Sequence, residues 1–229
     1  MEINRVISLQ FAIFYTPQGE KPENVAKKVE EAMPETLNSG MTINSINVTD
    51  SYGVQISTDL PSASVGSLDG KYTANFSELR ADLIINYRAG ETIGESLVEF
   101  LPKVEKFYEI ILNVKGVTRF GLVGSYIFSH PKPINALADK YYKNLPDNIR
   151  ELDVRYSKRF IEGEFLLNDT VQISDTNYQE IDGTFTRGLA ITRDLNNVPN
   201  AAFSHHDIID IKSIIQNKFN HQSLEELIL

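Results

Sequence analysis

The sequence predicts an α+β protein that is internally duplicated, with each unit made of a strand, a short helix, three or four more strands and a long helix. The duplication is visible in spacing. A Lys-Pro pair begins at Lys21 and again at Lys132, an offset of 111 (132 − 21). The helical run after each pair stops at a proline, Pro34 and Pro146, an offset of 112 (146 − 34). In a chain of 229 residues this period is close to half the length, as expected for an internal repeat.

The first unit begins with a strand and a short helix. Apolar and polar residues alternate over residues 5–15, which is typical of a half-buried strand. Pro22 suits the first helical turn, where its missing N–H has no intrahelical partner. Apolar residues then recur at every fourth position from Val25 to Met33, which predicts an amphipathic helix that Pro34 ends.

Extended segments and a second, longer helix complete this unit. Branched apolar residues predict two strands between residues 43 and 56, and another near residues 80–88. Residues 59–70 are rich in Ser, Pro and Gly and predict a loop. A capping box at Thr92 and Glu95 starts a helix to about residue 113, in which an internal proline predicts a kink or a break.

The second unit repeats this plan. Asn168 and Asp169 predict a turn, and residues 196–200 predict a loop. Ser204 and Asp207 form a second capping box, with Ser204 lying 112 residues after Thr92 (204 − 92). The predicted strands lie at residues 117–128, 152–156, 165–167, 171–173 and 185–192. At an offset of 111, eight apolar positions of the first unit, Leu9, Phe11, Tyr15, Leu97, Val98, Phe100, Val104 and Tyr108, correspond to Phe120, Leu122, Tyr126, Ile208, Ile209, Ile211, Ile215 and Phe219.

This order of elements resembles the duplicated fold of the TATA-binding protein, in which two such halves form one curved sheet with long helices behind it. The resemblance implies antiparallel strands backed by two long helices. We place the two repeats at residues 1–115 and 116–229, packed as one compact unit. A likeness of fold carries no function by itself.

A short motif gives a second resemblance. Residues 117–122 follow a long helix at mid-chain and resemble the Arg-Ile-Gly-Leu-Arg-Tyr-Ile-Asn signature of a sporadically distributed family of uncharacterised bacterial proteins of similar length. Arg119, Gly121 and Leu122 match, and Val123 stands where the signature has its second arginine. The activity of that family is unassigned, so the resemblance implies no site residues.

Charge and composition restrict the partners. The net charge is −9, and both units are acidic: residues 1–115 carry −6 (10 − 16) and the rest −3 (12 − 15). Such a chain lacks the basic footprint of a nucleic-acid-binding protein, so we expect no specific duplex DNA binding. There is no cysteine, no apolar run long enough for a membrane span and no secretory pattern at the N-terminus, which together predict a cytoplasmic, bacterial protein.

No pattern of residues demands catalysis, and we predict no catalytic, cofactor-binding or metal-binding residues. His206 and Asp210 are four apart and could supply two metal ligands, but His205 and His206 fit better as exposed polar residues at a helix start. Gly121 and Gly124 lack the context of a nucleophile elbow and predict a bulge, a bend or close backbone packing.

These observations favour a non-enzymatic binding or interaction protein that holds a protein, peptide or small ligand on its sheet or in a cleft between the repeats. The alternative is an enzyme with its site between the repeats. The apolar tail, Leu227 to Leu229, follows a capping pair at Ser223 and Glu226. We expect this tail either to dock on the body of the protein or to form an apolar contact with a partner chain. The sequence does not decide between a monomer and a homo-oligomer.

Overall fold

A computed structural model describes residues 3–17, 19–43, 60–87, 91–142, 149–179, 183–199 and 202–228. In this part of the chain nine antiparallel strands form one sheet, together with five helices, so the predicted α+β class is confirmed. The strands are β1 (Ile3–Tyr15), β2 (Met41–Ile43), β3 (Ala63–Gly66), β4 (Tyr72–Phe76), β5 (Arg80–Asn86), β6 (Val117–Ser129), β7 (Asp153–Glu162), β8 (Phe165–Gln179) and β9 (Phe185–Asn197). The helices are α1 (Pro22–Ala32), α2 (Ile93–Leu112), α3 (Pro133–Tyr141), α4 (Asp207–Lys218) and α5 (His221–Glu225).

The two halves meet at the pairing of β1 with β6 in the middle of the sheet. Read outward from this pair, the strand order is β1-β5-β4-β3-β2 on one side and β6-β9-β8-β7 on the other. The order is therefore the same in both halves, with β2 as an additional edge strand in the first. Because one sheet contains both halves, the division into residues 1–115 and 116–229 stays a prediction.

The register at the centre agrees with the repeat offsets. Phe11 lies directly opposite Leu122, its equivalent at an offset of 111 (122 − 11), so the local two-fold axis passes between them. Leu83 pairs with Phe11, and Leu195 pairs with Leu122, and these two leucines are 112 residues apart (195 − 83). A row of four buried apolar side chains thus crosses the four central strands.

All five helices bury their apolar residues in a single core on one face of this sheet. Helices α2 and α4 pack against each other along the two-fold axis, where the Tyr108 hydroxyl donates to the Ser204 carbonyl at 2.7 Å. Lys212 Nζ lies 2.6 Å from Glu105 Oε2 across the same contact. Side chains therefore fill the seam between the halves on the helical side. The Lys-Pro helices differ in position, since α1 packs on β3 and β4 whereas α3 packs on β9.

A buried ion pair joins the sheet to the C-terminal helices. Arg193 of β9 makes two hydrogen bonds to Asp169 of β8, at 2.9 and 2.7 Å, and both side chains are buried. The same guanidinium donates to the Lys218 carbonyl and, at 2.9 Å, to Ser223 Oγ. Burial of a charge is costly unless it is paired and hydrogen-bonded, and this pair satisfies both conditions.

The C-terminal tail docks on the body of the protein, since Leu224, Leu227 and Ile228 are buried in the core. The predicted capping pair of Ser223 and Glu226 is wrong. The cap is Asn220, whose side chain accepts from the Ser223 amide at 2.8 Å, because the Ser223 hydroxyl bonds instead to the buried arginine.

Several predicted boundaries also need correction. The stretch assigned as a loop contains β3, and its first residue, 59, lies outside the described residues. The predicted turn at Asn168 and Asp169 lies inside β8, and the chain turns instead at Gly163, where φ is +59°. Strand β9 extends through Asn197, into the stretch predicted as a loop. Of the two strands predicted at residues 43–56, only Ile43, the last residue of β2, lies within the described residues.

The two predicted capping boxes have different outcomes. The Thr92 hydroxyl accepts from the Glu95 amide at 3.2 Å while the Glu95 carboxylate accepts from the Thr92 amide at 2.9 Å, which confirms the box. Helix α2 continues through Pro102, and the carbonyl that this proline leaves unpaired belongs to the exposed residue Val98, where water can reach it. At Ser204 only half of the predicted box forms: the Asp207 carboxylate accepts from the Ser204 amide at 2.6 Å, but the Ser204 hydroxyl accepts from the His206 amide, and helix α4 begins at Asp207 with His206 as its N-cap.

Two isoleucines of α4, one buried and one exposed, test which face of the helix is buried. Ile215 is 1% exposed and Ile209 is 67% exposed, as the first repeat's Val104 and Val98 are buried and exposed. Truncating Ile215 to alanine should lower the free energy of unfolding by about 2–5 kcal/mol, because it leaves a cavity in the core. Ile209→Ala is the control and should change stability by no more than about 0.5 kcal/mol in urea unfolding. Equal losses would show that the helix is oriented differently.

Candidate functional site

The face of the sheet opposite the helices is the candidate site. Strand side chains alternate between the two faces, so one set lines the core and the other points away from all five helices that the structure describes. We call this second set the open face. Its central and second-half members include Arg5, Ser8, Gln10, Ala12, Phe14, Arg80, Asp82, Ile84, Arg119, Gly121, Val123, Ser125, Ile127, Asp153, Arg155, Ser157, Arg159, Ile161, Leu166, Asn168, Thr170, Gln172, Ser174, Ala190, Thr192, Asp194 and Asn196.

Hydrogen bonds between polar side chains run from strand to strand across the open face. Arg159 Nε donates to Asn168 Oδ1 at 2.8 Å, and Asn168 in turn donates to Asn196 Oδ1 at 3.3 Å. On the other side of the centre, Gln10 Nε2 donates to Asp82 Oδ1 at 2.8 Å. Cross-strand pairs of this kind hold their side chains in place, so the face presents ordered polar groups.

An aromatic ring between two arginines marks one end of the two central strands. Phe14 of β1 lies directly opposite Arg80 of β5 and Arg119 of β6. Their guanidinium carbons lie 5.0 and 4.7 Å from the ring centroid, within cation–π range. Arg80 is paired with Asp82 at 2.7 Å.

The positive charges of the open face are all arginines. Five of the nine arginines in the sequence lie there, whereas its acidic residues are three aspartates, in a protein of net charge −9. At the strand positions that define the face, the described residues include no lysine and no glutamate. The arginines are Arg5, Arg80, Arg119, Arg155 and Arg159, and the aspartates are Asp82, Asp153 and Asp194. The local excess of +2 (5 − 3) is opposite in sign to the charge of the whole chain.

A second polar cluster lies on the helical side and belongs to the first half alone. Glu99 of α2 accepts from the Tyr72 hydroxyl, and Lys71 Nζ lies 3.0 Å from Glu99 Oε2. Burial raises the pKa of Glu99, but the hydrogen bonds from Tyr72 and Lys71 and the charges of Lys71 and Lys103 outweigh it and hold the pKa below its ordinary value. The cluster fastens β4 to the first turns of α2.

The histidines form no metal site among the residues that the structure describes, where no group of three or more His, Cys, Asp and Glu could hold an ion. His205 and His206 are exposed beside the start of α4, as the sequence predicts. Asp210 lies near Gly163 of the β7–β8 turn: a Cβ on that glycine would be 3.5 Å from Asp210 Oδ2.

The two glycines of β6 have different surroundings. A Cβ on Gly124 would lie 2.2–2.7 Å from the ring and hydroxyl of buried Tyr126, so the close contact at this position is with a side chain and not, as the sequence predicts, with the backbone. A Cβ on Gly121 would lie 3.7 Å from Ala12 and Phe14 on the open face, an ordinary contact.

Comparison with known proteins adds no assignment: no family model matches the sequence, and no curated protein does. The resemblance to the bacterial family with the Arg-Ile-Gly-Leu signature therefore stays a prediction. Among the described helices, none combines the length and apolar character that crossing a bilayer requires.

The glycine pair gives a matched test. Gly124→Ala should destabilise the protein by about 1–3 kcal/mol, because the added methyl overlaps a ring that the core holds fixed. Gly121→Ala should be tolerated, since its methyl would meet neighbours at van der Waals distance. Thermal unfolding of both variants is the measurement. A larger loss in Gly121→Ala would mean that the side chains around β6 are arranged differently.

The lowered pKa of Glu99 predicts a pH dependence. The folded state favours the ionised carboxylate, so its contribution to stability is present above the ordinary pKa of 4.5 and is lost as the pH falls through the lower folded value. Denaturant unfolding over this acid range should show a shallower loss for Glu99→Gln than for the wild type. Glu31→Gln, at an exposed position of α1, is the control. If the free energy of unfolding falls with pH equally in the wild type and in Glu99→Gln, then Glu99 does not contribute to the acid dependence of stability.

Proposed function

We propose that this is a non-enzymatic binding protein that takes an acidic segment of a partner protein on its open face. The single observation that supports the proposal most is the exclusive use of arginine for positive charge on a face that no described helix covers. The planar guanidinium forms paired hydrogen bonds with carboxylates, whereas the lysine ammonium is a more strongly hydrated point charge.

The charge distribution favours an acidic partner and favours its approach to the open face over other surfaces. With −9 on the whole chain, an acidic segment is repelled by most of the surface and attracted only where the local sign is reversed. The satisfied polar pairs between the arginines offer hydrogen bonds to a partner at low ordering cost, because their side chains are already held.

Nucleic acid is a less suitable partner. The same face carries three aspartates, and the halves remain acidic, so counterion release from phosphates would be small. The alternative of an enzyme with its site between the halves has less support, since α2 and α4 fill that seam. A cytoplasmic location and the homo-oligomer stay predictions.

Fluorescence anisotropy with a labelled, capped oligoglutamate peptide tests the proposal. The peptide should bind at low ionic strength and dissociate progressively as salt is added, because exposed charges are screened. A capped oligoglutamine peptide should not bind. Duplex DNA in a gel shift should give no complex at physiological salt. Binding of both peptides alike, or of neither, would contradict the proposal.

Charge reversal locates the binding surface. Arg155→Glu, on the open face of β7, should weaken oligoglutamate binding several-fold, since it replaces an attraction with a repulsion. Lys27→Glu reverses the same charge on α1, on the other side of the molecule, and is the matched control. Equal weakening by the two reversals would show that only the net charge matters and that the open face is not the site.

A further inference from the structure

We infer that Arg119, stacked on Phe14, is the anchor of the open face and binds one carboxylate of the acidic segment. This inference rests on the proposed function and deepens it, since it separates one arginine from the four that only contribute charge or hold neighbours. Arg119 lies on β6, one of the two central strands, near one end of its pairing with β1.

The first argument is the hydrogen bonding of the two arginines beside Phe14. Arg80 donates to Asp82 from Nε and Nη2, at 2.8 and 2.7 Å. Arg119 has no such partner within the described ranges, and its Nε–H is buried without an acceptor. The terminal Nη groups of Arg119 donate to no acceptor in the part of the chain that the structure describes, whereas Arg80 is committed to Asp82, so Arg119 can bind a carboxylate of a partner.

The second argument is the orientation of the guanidinium. Its carbon lies 4.7 Å from the Phe14 ring centroid, so the ring restricts the side chain before any ligand arrives. The backbone opposite is fixed as well, because Phe14 is bonded into the sheet between β5 and β6. An arginine that is already held loses less conformational freedom on binding than one that is free in solvent.

The third argument is the space beside Arg119. The next open-face position on β6 is Gly121, and its neighbours across the strands are Ala12 and Asn196. A Cβ at Gly121 would lie 3.7 Å from the Ala12 Cβ and 3.8 Å from the Asn196 Cβ. Gly121 has no side chain and Ala12 has only a methyl group, so neither residue projects over Phe14 or Arg119 on the open face.

Arg155 provides the comparison. It is an exposed arginine on the same face, at the edge strand β7, and no aromatic ring is stacked under it in the part of the chain that the structure describes. It attracts an acidic segment through its charge alone. Replacement by lysine keeps that charge, so the two arginines should respond differently to the same substitution.

The experiment compares Arg119→Lys with Arg155→Lys, using the labelled oligoglutamate peptide. We expect Arg119→Lys to weaken binding about tenfold, equivalent to about 1.4 kcal/mol, since lysine loses the paired hydrogen bonds and the stacked position. Arg155→Lys should stay within about twofold. Melting temperatures of both variants check that they fold.

A second measurement is an NMR titration of the wild-type protein, in which the variant serves only to assign the resonance. In the wild type, the Arg119 Nε–H resonance, identified by its loss in Arg119→Lys, should move on titration with the peptide, and the Arg80 resonance should move less. If the two lysine variants have equal affinities, or if the Arg119 resonance does not move while the peptide binds, then Arg119 is not the anchor. The proposed function would still hold in that case. No binding by the wild type would overturn both. Stronger competition by a single-stranded oligonucleotide than by unlabelled oligoglutamate would also overturn the carboxylate assignment.

Discussion

The antiparallel pairing of β1 with β6 is the contact on which the rest of the fold depends. It places Phe11 opposite its own repeat equivalent, Leu122, and extends the apolar row into the neighbouring strands. Because equivalent strands meet at a two-fold axis, α2 and α4 lie side by side on the same face. Burial of that face leaves the other with polar and apolar residues together, and it carries the arginines.

Much of this architecture follows from local signals. Alternation identified β1, the repeat identified β6, and capping chemistry located the start of α2, while helical residues paired by the repeat offset share their burial in the structure. The errors have physical causes. Strand β3 has only four residues, and most of their side chains are small, so it gives a weak strand signal. Asp169 is a residue type that is common in turns, and its pairing with Arg193 inside the core is not visible in the local sequence.

The open face was less predictable, although the sequence indicated a sheet with an exposed side. Arg119 was part of a motif noted in the sequence, but Phe14 and Arg80 become its neighbours only through strand register. A register cannot be obtained from one strand, because the pairing of two distant segments sets it. Arg155 and Arg159 are four residues apart on one strand and therefore share a face, but the meaning of this signal depended on knowing which face the helices cover.

The choice of arginine over lysine on the open face has a practical consequence for surface chemistry. Amine-directed reagents react with lysine, and the described lysines lie on the helices, on turns, or, for Lys158, on the side of β7 that faces Asp169. Coupling through amines would therefore attach the protein by its helical side and leave the arginine-bearing sheet accessible. Because the two cations differ in their reactivity, the helical side carries reactive amines and the described strand positions of the open face carry none.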